Sequence, residues 1–111
     1  MTTRVEVDAG VCGNRTVIRA KSDDGQHVTL DIVTGCDKIK ALADALLAKG
    51  PIDAYAEMGA GANGVILTLT RQMLVGCCSA CAVPIGIFKA VQVCTGLALP
   101  KDITIAITQE E

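Results

Sequence analysis

The sequence predicts an α+β fold: an antiparallel β-meander plus a C-terminal strand, with helices packed on one face. Three observations predict it. The first third of the chain alternates apolar and polar residues with a period of two. Two later runs repeat apolar residues at helical spacing. The last run, "DITIAIT", returns to a period of two. A length of 111 residues suits a single domain over 1–111, and no linker, internal repeat or low-complexity segment divides it.

The elements follow in order. In "RVEVDAG", Val5 and Val7 alternate with Arg4, Glu6 and Asp8. In "TVIRAK", Ile18 and Ala20 alternate with Val17, Arg19 and Lys21, and in "HVTLDIV", Val28, Leu30 and Ile32 alternate with Thr29 and Asp31. Each reads as a strand with one buried and one wet face, joined by turns at "AGVCGN" and "SDDGQ". "CDKIKALADALLAKG" then places Ile39, Leu42, Ala43, Leu46 and Leu47 on one helical face, with Asp37 as the cap and Gly50-Pro51 as the stop. Residues 52–76 read as a mainly helical connection around a Gly-rich loop. "VILTLTRQMLVG" fits a strand running into a helix, or helix throughout. Pro84 suits the first position of a further helix, which carries Ile87, Phe88, Val91 and Cys94 on one face and ends before "LALP". "DITIAIT" closes the chain as a strand with Ile103, Ile105 and Ile107 inward.

Composition narrows the function. Half the residues are hydrophobic, yet there is one Tyr, one Phe and no Trp, so the core is aliphatic. The formal charge is -2 with no basic stripe, which argues against a nucleic-acid partner. No uninterrupted run of apolar residues has the length of a membrane span, and the N-terminus alternates like a strand instead of carrying the apolar centre of a signal peptide. The expected compartment is the cytoplasm. Six cysteines there point to metal or redox chemistry before structural disulfides.

The cysteines are not scattered at random through this topology. If the first strand runs up, Cys12 lies in the turn at the top. The third strand runs up again and Cys36 follows it, also at the top. If the helix from Pro84 packs down the sheet and feeds an antiparallel last strand, it begins at the top as well, where "GCCSACAVP" puts Cys77, Cys78 and Cys81. Four thiolates from three loops form the inventory of a tetrathiolate site for iron–sulfur or zinc. Cys12, Cys36, Cys78 and Cys81 are the candidate ligands, with Cys77 as the alternative to Cys78. Cys36 and Cys81 each precede a helix, so free amide donors and the positive end of the dipole favour anionic sulfur there. Cys94, one helix further down and in line with Ile87 and Val91, is a core residue.

Other motifs carry less. "GAGANG" matches GxGxxG through Gly59, Gly61 and Gly64, but helix-like sequence precedes it and no acid follows at the dinucleotide spacing. His27, the one histidine, sits beside the "SDDGQ" turn at the opposite end from the thiols, so a His–Cys catalytic pair is not expected. Asp23 and Asp24 are turn residues, and Lys89 and Lys101 are solvated charges.

The pattern "VDAGVCG…C…CSACAVPIGIFKAVQVCTGLALPKDITI" resembles an uncharacterised family of small cysteine-containing proteins from anaerobic bacteria and archaea. The resemblance is sharpest over Ala9–Gly13 and from Cys81 to Asp102. That family has "ACPVP" where this chain has "ACAVP", so Ala82 replaces a proline, and often has a histidine where this chain has Cys78. The resemblance implies a site at Cys12, Cys36 and Cys81, with Cys78 as a ligand because histidine and cysteine both bind metals. It names no reaction. All-sulfur ligands, apolar surroundings and the anaerobic character of the family favour iron–sulfur, as 4Fe-4S, over zinc. The expected role is a binding protein before an enzyme, in electron transfer or in cluster delivery or sensing, with a redox or metalloenzyme partner protein. The alternatives are a structural zinc interaction module and a thiol–disulfide protein using Cys78 and Cys81.

Overall fold

A computed structural model describes residues 1–111. Its sheet has the order β1 (Thr2–Asp8), β2 (Arg15–Lys21), β3 (His27–Thr34) and β4 (Ile52–Asp53), all antiparallel. The meander register pairs Val5 with Ile18 and Ile18 with Ile32, so the apolar positions of the three strands fall in one row on one face. The opposite face carries Arg4, Glu6, Arg15, Arg19 and Asp31 and stays wet. Val33, 59% exposed, and Val17 opposite it are the apolar exceptions there.

The helices α1 (Asp37–Ala48), α2 (Ala54–Ala60), α3 (Val65–Met73) and α4 (Val83–Cys94) follow. α4 lies over β1 and β2, α1 lies over β3, and α3 packs against both helices. This is the α+β fold with helices on one face that the patterning predicts. Ile18, Ala20, Val28, Ile39, Leu42, Leu46, Ile66, Ile87 and Val91 form its aliphatic centre. Gly86 sets how closely α4 approaches: a Cβ there would stand 2.6 Å from Val7 Cγ2 and 3.5 Å from Val5 Cγ1. The same contact fixes the start of α4 over the upper end of β1.

Two expectations need correction. The C-terminal strand does not form within the chain. Residues 101–111 have no strand partner and are exposed throughout, including Ile103, Ile105 and Ile107. Alternation records a capacity to pair, not the presence of a neighbour, and the fourth strand of the sheet is β4 instead. β4 has only two residues, too few to show any period. Asp37 is not the cap of α1: Cys36 holds the N-cap position and Asp37 opens the first turn. Gly76–Cys94 is, at 19 residues and mean hydropathy 1.6, long and apolar enough to cross a membrane by those two measures, though Ser79, Lys89 and Gln92 interrupt its apolar residues. It is folded here as a 3-10 turn followed by α4, whose Val83, Ile87, Ala90, Val91 and Cys94 lie in the core.

The connection over residues 52–76 is mainly helical, as expected, and its Gly-rich piece has a definite task. Glu57 on α2 is only 3% exposed, and its carboxylate accepts the Val65 and Ile66 amides at 2.9 and 2.7 Å. Those are orphan donors of the first turn of α3. Gly64 makes room, because a Cβ there would lie 2.8 Å from Glu57 Oε2.

Candidate metal centre

Three chain segments build one end of the sheet. The β1–β2 turn rises beyond Asp8 and Arg15, which face each other in the register. Gly10 (φ 86°) and Gly13 (φ 73°) take left-handed conformations that let the chain reverse, and the Gly13 amide donates to Gly10 O at 2.9 Å. Cys12 sits exposed on this turn beside Val11, which is fully in solvent. The end of β3 lies next to it: the Gly35 amide reaches Arg15 O at 3.4 Å, and Thr16 and Thr34 share a hydroxyl hydrogen bond of 2.8 Å. The Thr34 hydroxyl also accepts the Cys36 amide at 3.1 Å. That bond holds Cys36 at the N-cap of α1, where its own side chain makes no capping bond.

The third segment is the 3-10 turn Gly76–Ala80, with Cys81 closing it through its amide to Cys78 O at 3.1 Å. A turn with three residues per revolution puts positions i and i+3 on one side. Cys78 and Cys81 therefore face the same way, and both are half-buried against the core. Cys77, a third of a revolution away, is exposed. Cys36 is half-buried against the same core. Lys38, in the first turn of α1, places its Nζ 3.4 Å from Cys78 Sγ and so ties the second segment to the third.

The four candidate cysteines thus come to one end of the sheet, though they do not form a finished cage. No group of three or more Cys, His, Asp or Glu side chains is arranged to hold a metal ion. Cys36, Cys78 and Cys81 line the inner part of this end, and Cys12 stands outside on its turn. The sequence signal did not reveal Lys38, whose charge is one of several on α1 and acquires a role only through the packing of Cys78.

Residues 3–107 match a family of unknown function, DUF6951. The chain belongs to that family. No curated protein and no solved structure matches it. The DUF6951 region takes in all six cysteines of this chain and runs on through Ile107.

The remaining titratable groups lie elsewhere. Cys94 is 1% exposed in the core, and burial pushes its thiol pKa up. At the far end, Asp24 accepts the His27 and Gln26 amides at 2.7 and 2.9 Å and pairs with His27 Nδ1 at 2.7 Å. The amide bond from His27 is the foremost cause holding the Asp24 carboxyl well below its ordinary value. The side-chain bond to Asp24 is in turn the foremost cause raising His27 above 6.5. The signs differ for the two partners. His27 contributes stability fully below pH 6.5, and the contribution is lost as pH rises through its folded value. Asp24 contributes above pH 3.8 and loses the contribution as pH falls through its own folded value. Both contributions are fully present between those pH values, and both are small because the pair is solvated. We expect an NMR titration of His27 to give a pKa above 6.5, and Asp24→Asn to return it toward 6.5. An unchanged value in Asp24→Asn would contradict the pairing.

Proposed function

We propose that this protein binds an iron–sulfur cluster, in the 4Fe-4S form, through Cys12, Cys36, Cys78 and Cys81. It would use the cluster in electron transfer or in cluster delivery or sensing within the reducing cytoplasm. The observation that carries this reading is the meeting of three chain segments, each bearing cysteine, at one end of the sheet. Sequence separations of 24 to 69 residues between Cys12 and the others make the gathering a product of the fold and not of local spacing.

Further features suit an anionic centre. The N-terminus of α1 opens at Cys36 and that of α4 just after Cys81, so orphan amides and positive dipole ends lie near both sulfurs. The Lys38 ammonium beside Cys78 adds a full positive charge. Iron–sulfur clusters are held chiefly by cysteine thiolates, and each of the three segments at this end carries at least one cysteine. Burial separates Cys78 from Cys77 and favours Cys78 as the ligand. Exposed Val11, Val75 and Ile85 adjoin the cysteine segments in sequence and offer apolar surface to a redox or metalloenzyme partner.

The tight Cys78–Cys81 turn also favours a second reading, a thiol–disulfide pair. Alkylation under anaerobic conditions separates the two. With a cluster bound, Cys12 is protected while Cys77 is labelled, although both are exposed without metal. Chelation and oxidation of the cluster then make Cys12 react. Equal labelling of Cys12 and Cys77 before chelation, with a reversible disulfide between Cys78 and Cys81, would replace the cluster by the redox pair.

A further inference from the structure

The segment after α4 has the pattern of a strand and the surroundings of a loose end. Ile103, Ile105 and Ile107 are 55%, 71% and 89% exposed, and Leu99 is 84% exposed. The only backbone hydrogen bond donated from residue 98 onward is Lys101 N to Leu99 O. The chain extends this segment away from its own sheet: the molecule measures 49 Å along its longest axis against 27 and 25 Å across. The family match nevertheless continues through Ile107.

The sheet has one open edge of matching length. β4 is two residues long and runs directly into α2, so it offers no surface to a strand. β1 spans seven residues, Thr2–Asp8, and pairs only with β2. Its charged residues Arg4, Glu6 and Asp8 lie on the wet face. It has no proline or inward-pointing charge of the kind that protects exposed edges. The core is also unfinished there. Ile18 and Ala20 on β2 are at 0% exposure, whereas Val5 and Val7 on β1 are only half-buried under α4. A strand added beside β1 with isoleucines on the α4 side would complete that edge. Ile103–Gln109 carries no charge, so it would bring none into the core.

We infer that two copies of this chain exchange C-terminal strands, residues 102–108 of each pairing with the outer edge of β1 in the other. The occupant and the edge belong to the same sequence, so one two-fold contact satisfies both at once. This assembly is independent of the metal reading, since the tail leaves from the end of α4 opposite the cysteines.

Two measurements on the intact chain test it: mass in solution, and hydrogen exchange of the amides at 103–107. The expected result is a dimer of twice 11.5 kDa with those amides protected. Ile105→Lys and a chain ending at Lys101 should both run as monomers with their helical circular dichroism retained, because neither removes a residue of the single chain's own core. A monomeric intact chain overturns the inference, whether its tail exchanges fast or is protected by folding onto its own β1. A dimer with an unprotected tail, or one that survives both variants, overturns it equally.

Discussion

Cys81→Ala is expected to abolish metal binding, and Cys12→Ala should abolish it as completely, although the two residues differ sharply in surroundings. Cys81 is half-buried beside the start of α4, while Cys12 is exposed on a turn of the meander. A metal-free protein would register the second substitution hardly at all, since surface changes away from caps and packed groups typically alter stability by no more than about 0.5 kcal/mol. Loss of metal in Cys12→Ala would therefore report a ligand and not a damaged fold. Cys94→Ala provides the control: it removes a core sulfur and should lower stability, yet is expected to keep any metal the wild-type chain holds. Metal per chain, measured beside a thermal unfolding curve, separates these outcomes. Full metal content in Cys12→Ala would refute a site drawn from three segments.

The second large effect concerns stability. Glu57→Ala should cost about 3 kcal/mol, because it leaves the Val65 and Ile66 amides without acceptors in a buried setting. That is a large fraction of the 5–15 kcal/mol typical of a domain. Glu57→Gln, which keeps one acceptor oxygen and the packing, should recover part of the loss. Denaturant unfolding of the three proteins measures it. A change below about 0.5 kcal/mol in Glu57→Ala, the ordinary range for a surface position, would show that the carboxylate is not the cap of α3.

Glu57 also marks the limit of what the sequence discloses. Nothing in "DAYAEMGAGANG" distinguishes a buried carboxylate from a solvated one, because its partners are backbone amides eight and nine residues away. The same segment's glycines resemble a phosphate loop in spacing, while Gly64 is needed for the approach of Glu57. By contrast, the meander, α1 and α4 were legible, since each is long enough for its apolar period to register. The ends were less so. Cys36 and Asp37 are adjacent and both can precede a helix, and only the backbone settles which one is the cap. The alternating C-terminal isoleucines suggest a strand that the chain does not form, because alternation carries no information about where a neighbour lies.

The candidate site was legible for a related reason. Its convergence follows from strand direction and short turns, both encoded locally, so Cys12 and Cys36 fall at one end without any detail of packing. The start of α4 reaches the same end by another route than a paired C-terminal strand: Gly86 against Val5 and Val7 fixes it. The difference between Cys77 and Cys78 was not legible, because it depends on the phase of a single 3-10 turn. Lys38 was invisible for the same kind of reason.

An iron–sulfur cluster at this end of the sheet, as proposed, would show in the protein's composition. The most direct measurement is the iron, acid-labile sulfide and zinc content of protein purified without oxygen. The expected result is iron and sulfide in equal amounts, about four of each per chain for the 4Fe-4S form, with no zinc. A colourless protein carrying one zinc per chain, or neither metal, would contradict it.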